Sequence, residues 1–288
     1  MSALEEYRLQ ISSSVRVYYM GGETPETNFA ASISTITIDD QALVVDTGLR
    51  PDLAKLVLKD LTSKGNRKLT VVNTHHHGDH TICNQIFAGA GAHIISHSRC
   101  REALRSAGEE RIRSYANRSP ILKEMYGDLT QTLPDLVLND SVTVFLGGEP
   151  VELSHPGRTS HTQGDLYVHF PSEKILFTGD LLFSQYHPNL VDGDLDGWIE
   201  TCEDLRRFDV ETVIPGHGPP STSEELATQA GYFRDLKSTV KDGILHEKSP
   251  EVIGREFLTK HSQLGLRSLV QSNIVKIHSQ LKAVPLES

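Results

Sequence analysis

The sequence predicts an α+β protein in which two mixed halves, each built from strands and helices, precede a helical C-terminal extension. Short β-branched runs bounded by turn residues recur between residues 15 and 214. Amphipathic stretches with helical spacing interrupt these runs, and after Pro219-Pro220 the pattern becomes helical. We therefore expect a core domain over residues 1–220 and a helical extension over residues 221–288 that packs on the same domain.

The first half contains several short apolar runs with strand character, at residues 15–20, 32–38, 42–45, 69–72 and 92–95. A helix is predicted over residues 52–64, because Pro51 opens an amphipathic stretch and Gly65 follows it as a stop signal. Residues 98–132 are charged and mostly helical in character. They form an insertion that could cover or border a cleft, and composition leaves its role open.

The second half repeats the mixture, with strands predicted at residues 142–146, 151–154, 166–170, 175–177 and 212–214. A helix is predicted over residues 196–208. The extension begins at Ser223-Glu224-Glu225, which resembles a capping box, and contains about three helices up to Lys282.

Composition excludes several classes of partner. The 288-residue chain carries 28 Lys and Arg against 38 Asp and Glu, a formal net charge of −10, which disfavours nucleic acid and anionic lipid as partners. It contains no apolar run near the length of about 18 residues that a membrane helix needs, and residues 1–10 lack a signal-peptide pattern. We expect a cytoplasmic protein with a small-molecule substrate. Its oligomeric state stays open.

A cluster of metal-ligand side chains, His75-His76-His77-Gly78-Asp79-His80, follows the apolar run 69–72 directly. Imidazole and carboxylate groups bind zinc and similar first-row metals. The three cysteines, Cys83, Cys100 and Cys202, have no ligand spacing, so a closed structural zinc site is excluded. The cluster predicts a metal site that holds a reactive water.

Three later segments each place a ligand-type residue in a turn at the end of a strand. They contain His161 in Ser-His-Thr-Gln-Gly-Asp, Asp180 in Phe-Thr-Gly-Asp and His217 in Pro-Gly-His-Gly. The neighbouring glycines allow tight turns and a close approach of the backbone to a metal. These residues join the list of candidate ligands.

Taken in chain order, the four motifs resemble those of the metallo-β-lactamase superfamily: H-x-H-x-D-H, a later His before a Gly-Asp turn, a strand-end Asp and a Gly-His pair. The resemblance covers residues 15–220 and implies a four-layer αββα sandwich with the metal site along one edge. It implies that His75, His77 and His161 bind a first metal ion. Asp79, His80 and His217 would bind a second, and Asp180 would bridge the two.

The same resemblance implies a dinuclear metal-dependent hydrolase. A metal-bridging hydroxide, oriented by Asp79 as the catalytic residue, would attack the carbonyl of a small ester, thioester or lactone. The implied cofactors are two divalent ions, Zn²⁺ first, with Fe or Mn as alternatives. Asp180 resembles the glyoxalase II and lactonase branches. A mononuclear iron persulfide dioxygenase-like oxidoreductase and a class B β-lactamase-like amide hydrolase remain as alternatives.

Four further residues are assigned outside the ligand set. Phe183 and Tyr186 follow Asp180 and are predicted to contact substrate. His76 should point away from the ligands and make an outer contact. Asp165 is interpreted as the cap of its own turn, accepting hydrogen bonds from backbone N–H groups.

Overall fold

The computed structural model describes residues 5–63, 65 and 67–283, so the outermost residues of the two predicted domains, 1–4 and 284–288, lie outside the described residues. The strands are β1 (Arg8–Gln10), β2 (Val15–Tyr18), β3 (Ile33–Ile38), β4 (Gln41–Val45), β5 (Lys68–Asn73), β6 (His93–His97), β7 (Leu136–Leu138), β8 (Ser141–Leu146), β9 (Glu149–Ser154), β10 (Tyr167–Phe170), β11 (Ile175–Phe183) and β12 (Thr212–His217). The α-helices are α1 (Pro51–Thr62), α2 (Gly78–Thr81), α3 (Asn84–Ala88), α4 (Ser98–Ala116), α5 (Pro120–Tyr126), α6 (Leu195–Leu205), α7 (Ser223–Leu245), α8 (Pro250–Lys260) and α9 (Leu269–Ala283).

Two sheets form the centre of the molecule. The first has seven strands in the order β1-β2-β3-β4-β5-β6-β7, antiparallel up to β4 and parallel from β4 to β7. The second has five strands in the order β12-β11-β10-β9-β8, of which only the β11 and β12 pair is parallel. Helix α1 makes the crossover between the parallel strands β4 and β5, as parallel pairing requires.

The sheets pack face to face through alternate side chains of their strands. Val15, Ile36 and Val72 of the first sheet share a fully buried cluster with Leu153 and Ile214 of the second. Burying each side chain of this size removes apolar surface from water and stabilises the fold by about 1.5–3 kcal/mol. The interior of the sandwich is therefore the apolar layer between the two sheets.

Helices cover the outer face of each sheet. Leu53 of α1 and Leu122 of α5 pack in one buried cluster with side chains of the first sheet. On the second sheet, the rings of Trp198 in α6 and Phe233 in α7 lie 4.7 Å apart, and Ile274 of α9 joins the same cluster. The architecture is αββα with C-terminal helices, so the predicted fold class is confirmed. The division of the chain at residue 220 stays a prediction.

The elements match the sequence patterns with three differences. Strand β11 continues six residues past the predicted end, through Asp180 to Phe183. The insertion consists of two helices, α4 and α5, joined by a short turn. Short elements without a periodic pattern, β1, β7, α2 and α3, were not predicted. Among the described residues, the helices are too short or too polar to cross a membrane.

Candidate metal centre

The predicted ligands come from loops and strand ends that meet at one edge of the sandwich. His75 and His77 follow β5, and His217 ends β12. Because β11 and β12 run parallel, Asp180 and His217 approach the same edge. Asp180 lies inside β11 rather than in a turn after it, which corrects the sequence interpretation. The pairing register shifts around Gly179, whose φ is +51°, and this irregularity replaces the expected turn.

One group of ligand atoms contains three imidazoles and a carboxylate. His77 Nδ1 lies 2.9 Å from His161 Nε2, and His161 Nε2 lies 3.2 Å from Asp180 Oδ2. His75 Nε2 lies 3.5 Å from the same carboxylate oxygen. The four side chains offer ligand atoms within 4.8 Å of one another, so they can hold one metal ion.

A second group lies beside the first. His217 Nε2 is 3.3 Å from Asp79 Oδ2 and 3.4 Å from His80 Nε2. Asp180 connects the two groups, because its Oδ1 lies 3.1 Å from His80 Nε2 and its Oδ2 lies 3.3 Å from His217 Nε2. The structure thus brings together all seven residues that the sequence singled out as ligands. The assignment of each residue to a particular metal stays a prediction.

Backbone carbonyl groups fix the orientation of two imidazoles. His161 Nδ1 donates to the carbonyl oxygen of Asn189 at 3.0 Å, and His217 Nδ1 donates to that of Phe29 at 2.7 Å. A carbonyl oxygen can only accept, so each of these rings carries a proton on Nδ1. In the neutral form of each ring, which is the form that binds metal, the lone pair is on Nε2 and faces the other ligand atoms.

Side chains fix the remaining imidazoles. His80 Nδ1 donates to Asp46 Oδ2 at 2.8 Å. The Thr74 hydroxyl donates to Asp46 at 2.7 Å and accepts from His75 Nδ1 at 3.0 Å. His77 is turned the other way round: its Nε2 lies 2.8 Å from Asp192, which leaves Nδ1 facing inward. Such outer hydrogen bonds set the tautomer and the ring orientation of metal-binding histidines.

Burial and mutual charge determine the protonation of the centre. Burial lowers the pKa of His161 to about 3, although the Asp180 carboxylate opposes this shift. The pKa of His217 is raised to about 9, because Asp180 and Asp79 outweigh the effect of burial. Burial raises the pKa of Asp79, but the nearby His80 and His217 rings lower it more, so the net shift is downward. The carboxylates are ionised at neutral pH, and together with the imidazoles they form a donor set that suits a cation.

These residues fit a divalent metal ion. The His75 side chain is only 1% exposed, and its Nε2 makes no hydrogen bond with any described residue. An uncompensated polar atom of this kind is costly unless a ligand satisfies it. Five imidazoles and two carboxylates, without a thiolate, match the donor preference of zinc, iron or manganese.

Two assignments outside the ligand set can be followed in the structure. His76 Nε2 lies 3.4 Å from Asp192 Oδ2, so this ring makes an outer contact, as predicted. Asp165 accepts hydrogen bonds from the Thr162 N–H and, at 2.6 Å, from the Thr162 hydroxyl, which confirms its role as a turn cap.

A cavity of about 690 Å³ opens onto the centre. Phe183 and Phe29 line it close to His217, and the Phe183 ring stacks on the His217 ring at 4.5 Å. Tyr186 does not line this cavity, and its hydroxyl lies 3.2 Å from the Tyr19 hydroxyl instead. A substrate contact of Phe183 thus has a structural basis, whereas that of Tyr186 remains a prediction without one.

Two carboxylates that orient the candidate metal-binding histidines, Asp46 and Asp192, were not predicted from the sequence. Asp46 follows the apolar strand β4 in Val-Val-Asp-Thr-Gly, the same strand-end pattern that identified the ligands, so a signal for it was present. Asp192 lies in a loop with no strand before it, and nothing in its neighbourhood singled it out. The carbonyl groups of Phe29 and Asn189 carry no sequence signal, because every residue has one.

The fold and the ligand set together are those of a metal-dependent hydrolase. The sequence profile of the Metallo-beta-lactamase superfamily matches residues 27–217, and the chain belongs to this family.

Individual relatives are more distant. The chain is 28% identical over 273 residues to the acyl-coenzyme A thioesterase MBLAC2 of Bos taurus. The alignment covers 86% of this chain and 92% of the relative. It is 29% identical over 166 residues to the hydroxyacylglutathione hydrolase of Methylococcus capsulatus, covering 57% of this chain and 53% of that enzyme. A metallo-beta-lactamase from Pontibacter korlensis has a similar fold, with a TM-score of 0.62 and 20% identity over 79% of this chain and 98% of its own.

Proposed function

We propose that this protein hydrolyses small thioesters at a dinuclear metal centre. The observation that carries the proposal is the pair of adjoining ligand groups, one of three imidazoles and one of two imidazoles with Asp79, which share Asp180 between them. In each group the ligand atoms lie within 4.8 Å of one another, so each group can hold one metal ion.

The choice of thioester rests on the relatives. The names of two of them specify thioester hydrolysis, one of acyl-coenzyme A and one of hydroxyacylglutathione. The alignment with the acyl-coenzyme A thioesterase covers 86% of this chain. Esters and lactones share the same carbonyl chemistry and are weaker candidates. A small-molecule substrate also agrees with the dimensions of the cavity.

The residues that would hold the metals are the seven described above. His75, His77 and His161 would hold one ion, Asp79, His80 and His217 the other, and Asp180 would contact both. The chemistry that bound Zn²⁺ or a similar ion supplies is an acidified water molecule and a polarised carbonyl oxygen.

In this proposal, the Asp79 carboxylate accepts the proton of the attacking water. Both Asp79 and Asp180 line the cavity, but the Asp79 side chain is the more exposed of the two, at 14% against 3%. Hydrolysis forms a bond between the water oxygen and the carbonyl carbon and breaks the carbon–sulfur bond. The proton of the water passes to the Asp79 carboxylate and from there to the departing thiolate sulfur. Phe183 and Phe29 exclude bulk water on the side of His217.

Elemental analysis together with a substrate panel tests this proposal. The protein is purified without added metal or chelator, and metal per chain is measured along with thiol release from acyl thioesters and hydrolysis of esters, lactones and a β-lactam. We expect about two divalent ions per chain and the highest turnover on thioesters. One iron per chain with oxygen consumption would support the dioxygenase alternative, and preferred cleavage of the β-lactam would support the amide hydrolase.

Replacing Asp79 by asparagine tests its role in proton transfer. We expect a loss of turnover of at least about a hundredfold, because an amide cannot accept the proton. Asp128→Asn, at an exposed position on the loop after α5, is the matched control and should retain activity. Full turnover of Asp79→Asn would remove the proposed mechanism, and a thermal melt of both variants checks that the fold persists.

A further inference from the structure

One face of helix α4 and the turn after it form a wall of the cavity. Ala107, Glu110, Arg111, Ser114, Tyr115 and Arg118 line it at spacings of three and four residues. This wall belongs to the insertion whose role the sequence left open. Its two arginines face the same space as the metal ligands His77 and Asp79.

We propose that Arg118, supported by Arg111, binds an anionic group of the substrate. The inference rests on the proposed thioester hydrolysis and specifies the class of thioester: one whose thiol carrier bears a phosphate or a carboxylate. The carrier extends along the α4 wall, while its carbonyl group lies at the metal centre.

Arg118 is already oriented by its neighbour. Its guanidinium carbon lies 4.2 Å from the centre of the Tyr115 ring, and its backbone N–H donates to the Tyr115 carbonyl oxygen at 3.1 Å. Stacking on an aromatic face leaves the in-plane N–H donors of a guanidinium free to bind an anion. Tyr115 in turn packs near Phe29, with 6.4 Å between ring centres. The cation is therefore held beside the cavity before any substrate arrives.

Arg111 brings a second positive charge closer to the centre. One of its terminal nitrogens donates to the carbonyl oxygen of His76, so the side chain lies against the ligand loop. The aliphatic part of the side chain also passes close to Gly78. A guanidinium has five N–H donors, and this hydrogen bond uses one of them. The rest can contact a substrate that enters along the wall.

The two arginines of this wall have no carboxylate partner among the described residues. Within the described part of the chain, neither Arg111 nor Arg118 forms a salt bridge with a carboxylate. The carboxylates nearby are engaged elsewhere: Asp192 contacts His76 and His77, and Glu110 lies 3.4 Å from Arg113. Two more of the five carboxylates of the lining, Asp79 and Asp180, belong to the metal ligands, and Glu23 lies beside Gly265 of the C-terminal extension.

The two arginines of this wall contrast with the negative net charge of the protein. A chain with a net charge of −10 repels anionic substrates at long range, so a bound anion needs a local cationic contact. A charged hydrogen bond of the guanidinium–phosphate or guanidinium–carboxylate type provides one, often in bidentate geometry. An uncharged substrate would leave the two guanidinium groups unused.

The test compares one acyl group on three thiols. Butyryl-coenzyme A carries phosphates, S-butyrylglutathione carries carboxylates, and S-butyryl-N-acetylcysteamine is uncharged. The wild-type protein, Arg118→Gln and Arg118→Lys are assayed for kcat and KM on each, loaded with the same metal. Arg105→Gln, at an exposed position of α4 outside the cavity lining, is the matched control.

We expect the wild-type protein to favour an anionic thioester over the neutral one. Arg118→Gln should lower kcat/KM on the anionic thioester by about ten- to hundredfold, chiefly through KM, because the contact is distant from the reacting carbonyl. Its effect on the neutral thioester should be several times smaller. Arg118→Lys should recover part of the loss, and Arg105→Gln should match the wild type. Whichever of the two anionic thioesters shows the larger loss of kcat/KM in Arg118→Gln identifies phosphate or carboxylate as the recognised group.

Two results overturn parts of this reasoning separately. An equal loss on charged and neutral thioesters in Arg118→Gln, or no preference of the wild-type protein, overturns anion recognition and leaves thioester hydrolysis standing. Failure to release thiol from any of the three compounds, by protein with full metal content, overturns the proposed function and this inference with it.

Discussion

Replacement of Asp46 by asparagine probes how far the outer hydrogen bonds set the metal affinity. Asp46 Oδ1 accepts from the Thr74 N–H at 2.8 Å, and its Oδ2 accepts from the Thr74 hydroxyl at 2.7 Å and from His80 Nδ1 at 2.8 Å. The residue is 2% exposed and has a φ of +61°. Asparagine adopts this left-handed conformation as readily as aspartate, so the backbone is preserved.

The expected magnitude follows from the donors that Asp46 satisfies. An amide has one acceptor oxygen in place of two, so at least one of the three donors around Asp46 faces an NH₂ group. With the amide oxygen at the Oδ1 position, the NH₂ group faces the Thr74 hydroxyl and His80 Nδ1. With the oxygen at the Oδ2 position, the NH₂ group faces the Thr74 N–H, so either orientation loses at least one hydrogen bond. Loss of such a partner lowers metal affinity by about 10–100-fold, which corresponds to about 1.4–2.7 kcal/mol.

A competition titration with a chelating indicator measures this loss. Asp60→Asn is the matched control, because Asp60 is partly buried, accepts from the Tyr18 hydroxyl at 2.9 Å, and belongs neither to the ligand groups nor to the cavity lining. We expect unchanged metal affinity in the control, despite some loss of stability. If folded Asp46→Asn binds zinc as tightly as the wild type, the outer hydrogen bonds do not set the affinity.

Further predictions concern pH and the backbone around the centre. Metal affinity should rise by about tenfold per pH unit for each proton displaced, up to about pH 9. The reason is that Asp180 raises the pKa of His217 to about 9, and His217 must lose its proton to bind metal. A flat profile between pH 6 and 9 in competition titrations would contradict this. Gly216→Ala should destabilise the protein by about 1–3 kcal/mol, since a Cβ would lie 2.1 Å from Asp180 Oδ1 and against the backbone of β11. Gly231→Ala, where a Cβ meets no atom within 4 Å in α7, should instead stabilise it by about 0.5–1 kcal/mol; urea unfolding of both variants distinguishes a local clash from a general effect of replacing glycine.

The sequence predicted the parts of the fold that depend on periodicity and on turn chemistry. Strands such as β3 and β4 and the helix α1 were predicted close to their observed ends, because alternating or helical burial is visible in the residue types. Strand β11 was predicted to end at Phe177, since the following Gly179 before a polar residue resembles a turn. In the structure all nine residues of β11 are buried, and pairing with β12 carries the strand through the irregularity.

The candidate ligands were predictable for a different reason. His75 to His80 and the later motifs are residue types that seldom accumulate after buried strands without a chemical role. Residues that act through backbone groups or from loops gave no such signal. The Phe29 carbonyl reaches His217 from a segment in which Asn28, Phe29 and Ala30 all have positive φ, a conformation that tertiary packing imposes.

The origin of the cavity walls has a consequence for how such an enzyme diversifies. All seven candidate ligands lie on the strand edge of the sandwich, whereas two of the walls come from α4 and from the segment around Leu266 and Ser268 in the extension. Under the proposed function, we expect substitutions in these two walls that keep the contact of Arg111 with the ligand loop to change which carrier is accepted while the ligands keep their positions. Exchange of either wall is then a direct route to new substrates.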